Sequence, residues 1–196
     1  MRKLFLVASL MVFCTVMSAQ GLKGVWFAGG NVGFGKDEVY NDAGVKSKTT
    51  TTSIMPLAGK FVSPSVAVGG AIGYDYSKKG DIKNTGFTIM PLARKYWNIA
   101  GNLYVFGQMA LPVNISNQKG VDPKVNGFGV HFQVAPGFDL IVNKWFSIEA
   151  SFVLANAGYS QTKPKGGKSS DSWSLNGKTI GTSSFGDLTV GVKFLF

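Results

Sequence analysis

Asp187-Leu188-Thr189-Val190-Gly191-Val192-Lys193-Phe194-Leu195-Phe196 closes the chain, and its alternation decides the fold. Leu188, Val190, Val192, Phe194 and Phe196 point one way and Asp187, Thr189, Gly191, Lys193 and Leu195 the other, which is the period of two of a β-strand. One face is greasy; the other is small or polar. The same division separates Phe128, Val130, Phe132, Val134, Pro136 and Phe138 from Gly129, His131, Gln133, Ala135, Gly137 and Asp139. It also separates Phe146, Ile148, Ala150, Phe152 and Leu154 from Ser147, Glu149 and Ser151. Less sharply, Trp26, Ala28, Gly30, Val32 and Phe34 oppose Phe27, Gly29, Asn31, Gly33 and Gly35, and Leu103, Val105, Met109 and Leu111 oppose Tyr104, Phe106 and Gln108. Each run is long enough to cross hydrocarbon, because a tilted spanning strand needs only about 9 to 11 residues.

Runs of this kind cover residues 24–36, 48–60, 65–77, 82–94, 102–115, 125–140, 145–159 and 183–196. Their number is even, and their connections alternate: brief ones hold Ser63-Pro64, Trp97-Asn98 and Asn143-Lys144, and long or polar ones follow the odd-numbered runs. Short turns at one end and long loops at the other are the arrangement of outer-membrane barrels. The longest connection, residues 160–182, holds Lys163, Pro164, Lys165, Gly166, Gly167 and Lys168 and reads as a mobile basic loop. A bent hairpin around Trp173 within it is the alternative, and would raise the strand count to ten.

Composition agrees. The chain has 196 residues, of which 45% are hydrophobic and only 15% charged, against roughly 25% charged in an ordinary soluble domain. That is one domain, without collagen period or low-complexity tract. Beyond the first 20 positions no apolar stretch reaches the ~20 residues of a spanning helix. Residues 1–19 read as a removable export signal: Arg2 and Lys3 supply a positive start, Leu4 to Val16 a short apolar run, and Ser18-Ala19 a small-residue cleavage site. Residues 20–196 are then the barrel domain. The single cysteine, Cys14, lies within the signal behind Phe13 rather than behind the small residue lipidation needs. The exported chain therefore has no disulfide.

A repeat runs through the even-numbered runs. Ile54-Met55-Pro56-Leu57-Ala58-Gly59-Lys60-Phe61 matches Ile89-Met90-Pro91-Leu92-Ala93-Arg94-Lys95-Tyr96, and Val134-Ala135-Pro136-Gly137-Phe138 echoes both. The repeat unit is a hairpin with its variable loop. Proline removes a ladder hydrogen bond, so Pro56, Pro91 and Pro136 are expected near strand ends or bulges.

A sheet that enters a bilayer has no water to satisfy its edges and must close on itself. A soluble barrel or sandwich would show the same alternation with the apolar face turned inward. Three features favour the membrane: export, the Gly-rich polar face, and aromatics near run ends. Those aromatics, Trp26, Phe34, Tyr74, Tyr76, Tyr96, Trp97, Trp145 and Tyr159, are placed like interface girdles.

The proline hairpin repeat, Gly127-Phe128-Gly129-Val130 through Pro136-Gly137-Phe138, the stretch Lys144-Trp145-Phe146-Ser147-Ile148-Glu149-Ala150 and the terminal Phe196 resemble the small outer-membrane β-barrel family of Gram-negative bacteria. The resemblance covers nearly the whole exported chain. It implies an eight-stranded antiparallel up-and-down transmembrane β-barrel in the outer membrane. It also implies that Phe196, Phe194 and Val192, with Val190 and Leu188, form the signal read by the barrel-assembly machinery. Family members do different things, so function has to be argued from the site.

By parity Asp75, Arg94, Tyr104, Gln108, His131, Gln133, Asp139, Glu149, Asp187 and Lys193 are placed inside the lumen or at its ends. Eight strands leave just enough room for side chains to fill the interior. Arg94, Glu149, Asp187 and Lys193 are expected to form a paired network that plugs it, since unpaired charges there cost several kcal/mol each. A narrow path for ions or small solutes along those charges is the alternative. A lipid-modifying enzyme, the third reading, needs an activated serine or a histidine held by a carboxylate. His131 is the one histidine and points away from acyl chains, so no catalytic residue is assigned. One histidine and no exported cysteine give no metal site, and no cofactor is expected. No helix follows Gly29–Gly35, which excludes a nucleotide cradle.

The formal charge is +10, and lysines outnumber carboxylates in the proposed outer loops. Such a field attracts anions. The nearest on an outer leaflet are lipopolysaccharide phosphates, for which Lys163, Lys165 and Lys168 are the candidate contacts. Nucleic acid is not expected, because the basic residues are scattered and the chain is exported. The expected partners are outer-membrane lipids, lipopolysaccharide and the assembly machinery, and the protein is expected to be monomeric.

Overall fold

The computed structural model describes residues 21–40, 46–120, 122–177 and 189–196. The export signal, Asp187 and Leu188 lie outside the described residues. Eleven strand segments form one antiparallel sheet: β1 Trp26–Tyr40, β2 Lys46–Ser63, β3 Val66–Lys79, β4 Ile82–Ala100, β5 Leu103–Ala110, β6 Val113–Lys119, β7 Val125–Asn143, β8 Phe146–Ser151, β9 Ala155–Pro164, β10 Ser170–Gly177 and β11 Thr189–Leu195. β5 and β6 both lie between β4 and β7, β8 and β9 both lie along β7, and β10 and β11 follow β9 and β8. The segments therefore make eight staves of an up-and-down barrel. It closes where β11 returns to β1, from Phe27 opposite Leu195 to Gly30 opposite Val192. Reciprocal backbone hydrogen bonds between Trp26 and Phe196, 3.0 and 2.9 Å, secure the seam.

The side chains are distributed inside out relative to a water-soluble barrel. Val32, Phe34, Ile54, Ile72, Phe87, Ile89, Ile115, Phe128, Phe138 and Val192 are exposed on the outer face, whereas Arg94, Asp139 and Lys193 are buried within. Trp26, Trp97 and Trp145 stand outward at the short-turn end, and Phe34, Tyr74, Phe87 and Phe128 toward the other. Along β1, Trp26 and Phe34 are separated by about 26 Å of strand at ~3.3 Å per residue. A tilt of ~40° reduces this to about 20 Å of barrel height, near the ~25 Å apolar band of spanning barrels.

Four expectations need correction. Tyr96 belongs to no girdle: it is buried in the lumen, because Trp97 takes the outward position and parity turns its neighbour inward. Residues 160–177 do not form one long loop, since β9 and β10 pair from Ala155 opposite Gly177 to Thr162 opposite Ser170; residues 178–182 lie outside the described residues. Only the tip around Gly166 connects them, and the hairpin prolongs the last two staves without adding any. The turn expected at Trp97-Asn98 lies instead at Gly101-Asn102, because β4 continues to Ala100.

The prolines, finally, lie in mid-strand, not at strand ends. Pro91 faces the interruption between β5 and β6, where its carbonyl accepts Leu111 N–H at 3.0 Å. Pro136 faces the gap between β8 and β9 and accepts Phe152 N–H at 3.2 Å. At Pro56 the ladder from β2 to β3 lapses between Ile54 and Leu57. Each proline withholds one N–H from the following stave, and the ladder loosens there.

Candidate functional site

The repeat reads as a stave template for the lumen. Met55, Leu57, Gly59 and Phe61 turn inward on β2; Met90, Leu92, Arg94 and Tyr96 follow the same positions on β4; and Ala135, Gly137, Asp139 and Ile141 do so on β7. The last member of each series builds a hydrophobic floor near the short turns. Its aromatic centre runs from Phe27 to Phe61 at 5.7 Å, Phe61 to Tyr96 at 5.1 Å and Tyr96 to Phe106 at 5.4 Å between ring centroids. Leu22, from the segment preceding β1, is buried in the same cluster. Glycines make room for the rings: a Cβ on Gly59 would stand 2.4 Å from Phe27, and one on Gly137 2.4 Å from Phe106.

A layer of charge rests on this floor. Arg94 Nη1 donates to Glu149 Oε2 at 2.7 Å and Nη2 to Oε1 at 3.2 Å, while Nε donates to Gln108 Oε1 at 2.7 Å. Lys193 is paired with Asp139 and lies 3.6 Å from Glu149 Oε2. The two cations also lean on ring faces, Arg94 at 4.7 Å from the Phe106 centroid and Lys193 at 5.4 Å from Phe27. The Tyr96 hydroxyl accepts from both at 3.4 Å. Arg94 is 4% exposed, Lys193 and Asp139 1% each, and Glu149 13%. Two positive and two negative groups thus cancel in a nearly dry interior, the arrangement in which buried charge is tolerated.

Above the charges lies a cavity of about 200 Å³. Arg94 and Glu149 are at its base; Asn31, Gln108 and Gln133 give it polar walls, and Met55, Met90 and Phe152 apolar ones. It opens away from the filled floor. His131 borders the upper lumen, its ring lying so close to Gly158 that a Cβ there would stand 2.1 Å from Nδ1. Among the described residues that nitrogen, which is buried, has no hydrogen-bond partner. Among the described residues no three of His, Cys, Asp and Glu are grouped to hold a metal.

The structure brings together Arg94, Glu149 and Lys193 from the expected network; Asp187 lies outside the described residues. Asp139, expected inside but not assigned to the network, is the direct partner of Lys193. The aromatic floor was not foreseen. The one available signal was Phe or Tyr on the Gly-rich parity of its strand. Val192 and Phe194 face outward, with Phe194 stacked on Trp145 at 6.2 Å and 6°. Phe196 is exposed beside Trp26. Lys163 stands on β9, and Lys165 and Lys168 occupy the hairpin tip, all three exposed.

No protein-family model and no curated protein matches the chain. Among solved structures, Neisserial surface protein A (NspA) superposes with a TM-score of 0.51 at 15% identity, covering 89% of this chain and 100% of that one. The translocator domain of the autotransporter NalP from Neisseria meningitidis gives a TM-score of 0.44 at 11% identity, over 100% of this chain and 96% of that one. Together with the inverted packing and the closing β11 to β1 seam, the likeness to the Neisserial surface protein gives this chain the fold of the small outer-membrane β-barrels.

Proposed function

We propose that the protein is an exported, monomeric integral component of the outer membrane. Its role on this reading is structural or surface-interacting: envelope integrity, lipopolysaccharide contact or adhesion. One observation carries it. An outward apolar band surrounds a lumen whose base is filled by Phe27, Phe61, Tyr96 and Phe106 beneath the Arg94–Glu149 and Lys193–Asp139 pairs. A conducting path needs continuous water, and a base packed with aromatic rings and paired charges supports the structural reading over a pore.

Exposed Lys163, Lys165 and Lys168 at the far end suit phosphate groups as point charges. The outward Val192, Phe194 and Phe196 are the contacts offered to the assembly machinery. Under this reading His131 is a packed polar residue, and the protein is neither an enzyme nor a cofactor carrier.

The test has three parts. Folded protein should migrate faster in a detergent gel than the boiled sample. In planar bilayers the purified protein should give no unitary current; stable steps altered by Glu149→Gln or Lys193→Met would replace this reading with that of a narrow pore. The Lys163→Gln/Lys165→Gln/Lys168→Gln variant should lose binding to immobilised lipopolysaccharide, and unchanged binding would remove the surface contact from the proposal.

A further inference from the structure

The hairpin repeat leaves one position unexplained by the lumen: the lysine next to its last member. Lys60 precedes Phe61 and Lys95 precedes Tyr96, and since those rings turn inward both lysines stand on the outer face. Lys60 Nζ lies 4.9 Å over the ring of Trp26. Lys95 Nζ donates to Ser65 Oγ at 2.6 Å. On β3 between them, Val66 is opposite Lys95 and Val68 opposite both Lys60 and Ala93, so exposed Val68 lies on the strand between the two lysines, with Lys60 turned toward Trp26 and Lys95 toward Ser65. With strands ~4.8 Å apart, β2 and β4 are about 10 Å from each other there, within reach of two lysine side chains converging on one group.

Among the described residues no acidic side chain pairs with Lys60 or Lys95. Among the described residues, the acidic side chains in this half of the barrel are Asp139 and Glu149, both turned into the lumen and engaged there. Lys23 and Lys144 are exposed at the turns and add positive charge.

We infer that Lys60 and Lys95, with the Ser65 hydroxyl and the Trp26 indole, form a site for the phosphate of an anionic glycerophospholipid in the leaflet at the short-turn end. The acyl chains lie on Val68 and Ala93. The site rests on the membrane placement proposed above. It differs from the lysines of the hairpin tip in facing the opposite leaflet, and in having an apolar surface beneath the charge.

The test is native mass spectrometry of the full barrel released from mixed phosphatidylcholine and phosphatidylglycerol bilayers. Wild-type protein should retain phosphatidylglycerol preferentially. Each of Lys60→Gln and Lys95→Gln should weaken that preference by about fivefold, the effect of one interfacial basic residue; Lys163→Gln should leave it unchanged. Heat-modifiable migration checks that the variants are folded. Equal retention of the two lipids by wild type, or an unaltered preference in the Lys60→Gln/Lys95→Gln variant, would overturn the site while leaving the barrel in the membrane. Displacement of the bound lipid by inorganic phosphate alone would also overturn it. Failure to insert into either bilayer would overturn the membrane placement and the site together.

Discussion

Arg94 on β4 and Glu149 on β8 meet across the lumen through two hydrogen bonds of 2.7 and 3.2 Å, and the same Glu149 oxygen that accepts from Nη1 lies 3.6 Å from Lys193 on β11. With Asp139 on β7, the network joins four staves that are not all neighbours in the sheet. It acts as a cross-brace inside a wall otherwise held by backbone ladders.

Removing one member should therefore cost more than removing an opposed pair. Glu149→Gln leaves Arg94 and Lys193 facing the single charge of Asp139, and breaking a buried pair in this way costs about 3 to 5 kcal/mol. Arg94→Met/Glu149→Leu removes both charges, and should unfold at a higher urea concentration than Glu149→Gln when followed by gel migration in detergent. A double variant whose loss equals the sum of its singles would show that the two groups do not interact.

Tyr96 separates packing from hydrogen bonding. Its ring touches Phe61, Tyr104 and Phe106, and its hydroxyl accepts from both cations only at 3.4 Å. Tyr96→Ala should lose about 3 to 5 kcal/mol, as for other large buried aromatic truncations. Tyr96→Phe should lose about 1 kcal/mol or less. Equal losses in urea titrations of the two variants would mean that the hydroxyl, not the ring, secures the floor.

Glycine substitutions should divide by what their new Cβ meets. On Gly137 it would stand 2.6 Å from the backbone carbonyl of Ala150 as well as against Phe106, and backbone cannot rotate away. On Gly33 its one close neighbour is Ser53 Oγ at 2.4 Å, a hydroxyl that can change rotamer. Gly137→Ala should abolish or greatly reduce refolding into detergent, while Gly33→Ala should refold with a yield close to wild type. The reverse order would contradict the packing described for the floor.

These positions also explain how far the sequence could be read. The period of two is local, so the barrel, its outward Val192 and Phe194 and its inward Lys193 were all legible in one strand. Parity likewise marked Arg94 as inward. Whether Lys193 would meet Asp139, Glu149 or Asp187 depends on register across staves, which no single strand encodes. The floor was hidden for the same reason: Phe27 and Phe106 occupy the lumen because Gly59 and Gly137 on the paired strands leave room for them. At β9 and β10, Pro164, Gly166 and the lysines resembled a flexible loop, although alternation resumes on both sides. The prolines gave the presence of ladder defects but not their height, since strand ends could be placed only to within a few residues.

Deleting Phe196 should separate barrel stability from barrel delivery. In the folded protein its side chain is exposed, and its structural contribution is the pair of backbone hydrogen bonds with Trp26, at 3.0 and 2.9 Å. At about 0.5 to 1.5 kcal/mol each, their loss should lower the urea midpoint modestly and leave refolding in detergent intact. In cells the terminal aromatic is the contact proposed for the assembly machinery, so the same deletion should reduce the folded outer-membrane fraction far more than the stability loss accounts for. Phe196→Tyr, which keeps both the backbone pair and the ring, should restore it. Parallel losses in vitro and in cells would instead assign Phe196 to closure of the seam alone.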